Sequence, residues 1–285
     1  MLNRQMPEIR PFRGLRYTAD AGKLDDLVAP PYDVMSPTER DGYANRNPYN
    51  IVHLTLPEHQ ADDRSKFVKY ARSAALLAEW RREGTMAPEG KPAFYRYTQA
   101  FKIDGVDQQL KRTALITLIK VEPYEKGIVL PHEQTFPKHK EDRLRILEAT
   151  RSHLECIFGL YEDPNGKIDS AVKSAEVGGV VEVHNEIGSS HRLEPIVDKD
   201  AINALQGALT DRKVWIADGH HRYETALTFR QMLGDKSGPV AEDYMMMALT
   251  SMSDPGLVLL PTHRIIHGLT TGMVGNDHDR RAGTI

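Results

Sequence analysis

Apolar positions along this chain fall into one long periodic stripe and many short runs. Between Asp62 and Arg82, the residues Phe67, Tyr70, Ala71, Ala74, Leu77, Ala78 and Trp80 recur near every 3.6 positions. That spacing places them on one face of a helix, and Gly84 suits its C-terminal cap. The stripe reads as core packing. Ser36-Pro37-Thr38-Glu39 predicts a second helix start: serine caps, proline fits the first turn and Glu39 completes a capping box. This helix runs to about Arg46 and stops at Asn47-Pro48. Further helices are expected over 140–150, 167–176 and 199–209.

The short runs read as strands: Ile51 to Leu56, Ala93 to Ile103, Gln108 to Val121, Glu155 to Tyr161, 179–184, 191–197 and Val214-Trp215-Ile216. Asp104-Gly105 is a hairpin signal between two of them. A second hairpin is expected from Tyr244 to Met252 and Leu257 to Leu260 around Asp254-Pro255-Gly256. Residues 8–17 open the chain as an extended segment. Leu27 to Val34 holds two prolines, which forbid a regular helix or a central strand, so it reads as a stiff extended loop. The pattern predicts an α+β protein with a mixed β-sheet and flanking helices. It forms one domain over residues 1–267, followed by a disordered tail over 268–285, and the chain is expected to stop short of its natural domain end.

At 285 residues, with 40% hydrophobic and 27% charged positions, the chain can bury a sizeable core. A net charge of −3 gives no electrostatic case for nucleic-acid binding. No stretch reaches the length of a membrane span. Cys156 is the only cysteine and lies in an apolar run, so it reads as a buried thiol in a reducing cytoplasm.

Polar chemistry concentrates after Val214-Trp215-Ile216, in Ala217-Asp218-Gly219-His220-His221-Arg222-Tyr223. Tyr223, Ala226, Leu227, Arg230 and Leu233 continue at helical spacing, so this run sits where a strand turns into a helix. A helix N-terminus offers unpaired N–H groups and a partial positive charge, which suit a phosphate. Gly219 permits close approach, Arg222 adds a bidentate fork and His220 and His221 add donors. Asp218 could hold Mg²⁺ or accept a hydroxyl proton. The competing reading is a capped helix with solvated histidines. His132 and Glu133, in Pro131-His132-Glu133-Gln134-Thr135 past an apolar run, are candidates for acid–base work or a metal. Lys138 and Arg143 could contact phosphate. Asp33, held by two prolines and Tyr32, is a candidate Mg²⁺ ligand or base. Thr135 and His263 are candidate substrate contacts. A P-loop, a dinucleotide GxGxxG and a nucleophile elbow are all missing.

LVAPPYDV, NPYNIVHL, the PHEQT loop and ADGHHRYETAL, in this order, resemble a bacterial and archaeal family labelled as a domain of unknown function. Its relatives include free-serine kinases of the ParB/sulfiredoxin superfamily. The resemblance covers about residues 8–267. It implies a ParB/sulfiredoxin-like nucleotide-binding core with a long insertion, which would bring the Asp33 loop to the Asp218 turn. It also implies ATP or ADP with Mg²⁺, and a small hydroxyl metabolite such as free serine as acceptor. The kinases carry Asp-Gly-His-Thr-Arg, so Asp218, Gly219, His220 and Arg222 match and His221 replaces their threonine. Sulfiredoxins place a reactive cysteine where His220 stands, which excludes sulfinic acid reduction. The expected activity is phosphoryl transfer with Asp218, Glu133 and Asp33 as the working carboxylates. The alternatives are a non-catalytic nucleotide- or metabolite-binding regulator, and a metal-dependent phosphohydrolase using Asp218, His220, His221 and His132.

Overall fold

The structure is a computed structural model. It describes residues 7–103, 105–133, 137–184, 188–234 and 238–259, without the side chains of 137–140. In chain order the elements are β1 (Ile9–Arg10), β2 (Leu15–Tyr17), α1 (Leu24–Leu27), α2 (Pro37–Arg46), α3 (Val52–Thr55) and α4 (Val68–Glu83), then β3 (Met86–Pro88), β4 (Phe94–Phe101), β5 (Leu110–Lys120) and β6 (Val129–Leu130). There follow α5 (Pro137–Thr150), β7 (Ile157–Tyr161), α6 (Lys167–Ser174), β8 (Val181–His184), β9 (Ser190–Ile196), α7 (Lys199–Leu209), β10 (Val214–Asp218), α8 (His220–Met232) and β11 (Tyr244–Ser251).

The fold is α+β. A large mixed sheet runs β6-β10-β7-β11-β5-β4-β9-β8, and β1 extends it by pairing with β5. The pairs β6–β10 and β7–β11 are parallel, and the other pairings are antiparallel. Strands β2 and β3 form a separate two-stranded sheet. One face of the large sheet carries the core. Leu115, Ile119, Ile157, Met247 and Leu249 pack there against Ile168, Val172, Leu205, Leu209, Tyr223 and Ala226 of the helices. Alternation along β7 turns Ile157, Gly159 and Tyr161 inward. Gly159 has to be small, because a Cβ there would lie 2.6 Å from Met247 Sδ. A second cluster of Leu54, Leu77, Trp80 and Met86 seats α4 beside the small sheet.

The capping box of α2 forms as its sequence requires: Glu39 N–H donates to Ser36 Oγ and Ser36 N–H to Glu39 Oε2. Helix α4 starts at Val68 and ends on left-handed Gly84, φ 82°. Strands β4 and β5 form the expected pair, while Asp104 of their turn lies outside the described residues.

Two expectations are corrected. Ile51 to Leu56 is not a strand: its centre is the short helix α3. Buried Asn50 decides this, because its side chain accepts from Val52 N–H at 3.0 Å and donates to Asp26 and Val28 carbonyls. The cap and the loop anchor override the β-propensity of Ile51 and Val52. Residues 257–259 do not pair back onto β11. Both edges of β11 are already taken, by β5 and β7, and the Asp254 carboxylate accepts instead from Thr113 N–H at 3.2 Å. Leu260, and the tail over 268–285, lie outside the described residues.

Candidate functional site

Sheet topology gathers the polar residues at one edge. Strands β6 and β10 are parallel, so the loops that leave them emerge side by side. Strand β7 is antiparallel to β10, so the residues that enter β7 arrive at the same edge, where Asp218 pairs with Phe158. The loop after β6 carries His132 and Glu133, the turn after β10 carries Asp218 to Arg222, and the entry to β7 carries Glu155 and Cys156. Ligands of open α/β sheets favour crevices outside strand carboxyl ends.

The turn itself is built on Gly219, whose φ of 92° is left-handed. A Cβ there would also press on the Arg222 guanidinium at 3.0 Å. Helix α8 starts at His220, so its first N–H groups have no partner inside the helix. The Asp218 side chain is 59% exposed, and Arg222 Nη2 donates to its Oδ2 at 2.5 Å. Arg222 is 11% exposed and turns inward: Nη1 donates to the Cys156 carbonyl at 2.6 Å and lies 3.8 Å from Glu155 Oε2.

His220 is buried, at 1% exposure. Its Nε2 accepts from His132 N–H at 3.3 Å, and its Nδ1 lies 3.1 Å from Glu133 Oε1. The rings of His132 and His220 meet edge-on, with centroids 4.5 Å apart. His132 Nδ1 donates to the Ile216 carbonyl at 2.5 Å. Burial holds the His220 imidazole below the ordinary histidine range, against the upward pull of Glu133. Its side chain therefore pins the loop after β6 to the turn.

Ligand atoms of His132, Glu133 and His220 lie within 4.8 Å of one another, the spacing of a metal triad. The hydrogen bonds oppose that use. Nε2 of His220 faces a backbone N–H and so carries the lone pair, which leaves the proton on Nδ1. A transition metal at Nδ1 would require the reverse tautomer. The exposed carboxylates of Asp218 and Glu133 are hard oxygen donors of the kind Mg²⁺ takes.

A family model described as Protein of unknown function (DUF1015) matches residues 9–276. The chain belongs to the DUF1015 family. No curated protein and no solved structure matches it. The match reaches into the 268–285 stretch. Among the described residues of this DUF1015 protein, no helix is long and apolar enough to cross a membrane.

The Pro-Pro-Tyr-Asp loop also comes to this edge. Tyr32 N–H donates to Glu155 Oε1 at 3.3 Å, and the Tyr32 ring lies under the guanidinium of Arg143 at 4.0 Å and near that of Arg222 at 5.9 Å. Asp33 is exposed beside it, and its charge is felt at Glu155. Burial, and more weakly Asp33, raise the Glu155 carboxyl above the usual range, against Arg222 and Arg143. The site thus joins Asp33, His132, Glu133, Asp218, Gly219, His220, His221 and Arg222. Thr135, His263 and the side chain of Lys138 lie outside the described residues. The sequence reading missed Glu155. Its one signal was a lone charged residue at the mouth of an apolar strand. Cys156 is half-buried, and burial pushes its thiol up to about 12.

Proposed function

We propose that this DUF1015 protein catalyses Mg²⁺-dependent phosphoryl transfer from ATP or ADP to the hydroxyl of a small metabolite such as free serine, on a ParB/sulfiredoxin-like core. The carrying observation is the β10–Gly219–α8 turn, which combines the first N–H groups of a helix with an exposed carboxylate, Asp218. Such a turn suits phosphate oxygens, while Asp218 stands beside them for the acceptor hydroxyl. Phosphoryl transfer asks mainly for positioning and charge neutralisation.

Each residue has a task in this reading. Gly219 lets backbone approach the phosphate. The N–H groups of His220, His221 and Arg222 hold its oxygens, and Arg222 fixes Asp218 through Oδ2. Asp218 orients the acceptor hydroxyl and takes its proton. His132, with Nδ1 held by the Ile216 carbonyl, presents Nε2 as a further donor or acceptor to the phosphate or substrate. Mg²⁺ on the oxygens of Asp218 and Glu133, with Asp33 as a further candidate, would neutralise phosphate charge.

One observation favours a second reading, a nucleotide- or metabolite-binding regulator without chemistry. The Arg222 fork is already engaged by Asp218 and the Cys156 carbonyl. The two readings separate in one experiment. Calorimetric titration of ATP and ADP with Mg²⁺, on the wild type and Asp218→Asn, is paired with mass-spectrometric detection of phosphoserine. Binding by both proteins, with product from the wild type and about a hundredfold less from the variant, is expected. Binding without product selects the regulator. Absence of binding, or equal turnover by Asp218→Asn, overturns the proposed roles.

A further inference from the structure

Beneath the turn, α5, α8, β11 and the 152–155 segment line a partly open cavity of about 50 Å³. Its polar lining is out of balance. Arg143, Arg222 and Thr225 line it, and Arg143 Nε, Arg222 Nε and Thr225 Oγ1 are buried without a hydrogen-bond partner. Arg143 is 8% and Thr225 4% exposed. A helical threonine ordinarily turns its hydroxyl onto the carbonyl one turn back, and Thr225 does not. Buried donors left unmade are costly, so several on residues that line one space point to an acceptor that belongs there.

The outer ends of both arginines are fixed. Arg143 Nη2 donates to Asp142 Oδ2 at 2.6 Å, as Arg222 Nη2 does to Asp218. Burial alone would raise the Asp142 carboxyl, but hydrogen bonds from Arg143 and Tyr70 bring it to about 2. Both guanidiniums are thus held at their outer ends, and their Nε–H groups are left without a partner. The remaining lining includes Ile146, Leu147, Leu154 and Met245, which suit an alkyl group. One water takes roughly 10–15 Å³ of such space, so the cavity has room for about four non-hydrogen atoms. That is the size of acetate.

We propose that this cavity is a binding site for a small carboxylate, whose oxygens accept from Arg143 Nε, Arg222 Nε and Thr225 Oγ1 while its carbon tail meets the apolar wall. The cavity lies beneath the phosphate turn and shares Arg222 with it, and its occupancy does not require nucleotide. Glu155 also lines the cavity and is the charge that opposes such a ligand. Its ionisation is already disfavoured there by burial and by Asp33. The carboxylate comes from a free short-chain acid, and the recognised chemistry is the planar three-atom head.

The test is calorimetry and thermal denaturation without nucleotide, at constant ionic strength. Sodium acetate, sodium formate, L-serine, phosphate and chloride are titrated into the wild type, Thr225→Val and Glu155→Gln. Saturable acetate or formate binding is expected, weakened about five- to tenfold in Thr225→Val and tightened about tenfold in Glu155→Gln. Thr225→Val should also raise the melting temperature without ligand, because an unpaired buried hydroxyl is removed, so weaker binding is not mistaken for misfolding. L-serine binding in place of acetate overturns the proposal, because its seven non-hydrogen atoms exceed the space and Asp218 is its proposed partner. Responses no larger than to chloride, equal responses to phosphate, or affinities unmoved by both variants overturn it. Nucleotide binding measured on Thr225→Val should match the wild type, so failure of this inference and failure of the proposed function are read separately.

Discussion

Asp218 and Arg222 lie one helical turn apart and touch, yet one side chain is 59% exposed and the other 11%. The same split runs through the whole turn. Asp218, His132 and Glu133 face outward, and His220, Arg222 and Thr225 face the interior. The residue types on the two sides are similar, since each is polar and able to bind a ligand. Position in the fold separates a group that waits for a partner from one that already has a structural duty. A polar run at a strand–helix turn therefore contains two sites' worth of chemistry, divided by the plane of the helix.

The largest expected effect comes from removing the inward charge. Arg222→Ala leaves the Cys156 carbonyl without its donor and Glu155 with Arg143 alone, and stability measured by urea denaturation should fall by about 3 kcal/mol. Asp218→Ala, on the exposed end of the same pair, should cost under about 1 kcal/mol. Equal losses would erase the distinction between the two sides. A smaller contrast is expected between the histidines. His220→Ala should cost about 2 kcal/mol, because it opens a cavity and frees the loop after β6. His132→Ala should cost about half that, through one lost hydrogen bond to Ile216.

The smallest effect is a pH dependence. Burial lowers the pKa values of His220 and His153, so the folded chain binds fewer protons than the unfolded chain just below about pH 6.5. Stability therefore rises with pH up to that point and is lost as pH falls through the window beneath it. Glu155 acts with the opposite sign: its raised pKa makes stability fall as pH rises through the range above the ordinary glutamate value. Chemical denaturation from pH 4 to 8 should give a steeper acid-side slope in Glu155→Gln than in the wild type. An unchanged profile would remove the electrostatic part of the contrast.

Much of the fold was legible because local signals agreed with tertiary demands. The Ser36–Glu39 box, the stripe of α4 and the alternation of β7 each needed only neighbouring residues to be read. Residues 51–56 were misread because Asn50, a single buried amide, binds carbonyls more than twenty positions away. At the site, the Asp218 turn, the His132–Glu133 loop and the Asp33 loop were each visible as polar clusters beside apolar runs or prolines. Their meeting at one edge follows from strand directions, which no local pattern states. The inward turn of His220 and Arg222 was hidden for the same reason. Glu155 was hidden more deeply, since its surroundings come from Tyr32, Arg143 and Arg222 on three distant segments.

The lone thiol offers a clock. With its pKa pushed up to about 12, Cys156 carries roughly a thousandfold less thiolate at neutral pH than a free cysteine. Its backbone carbonyl is the one that Arg222 grips. A simple thiol reagent should therefore alkylate the native chain more slowly than the unfolded one, and the ratio of the two rates reports how often this strand entry loosens.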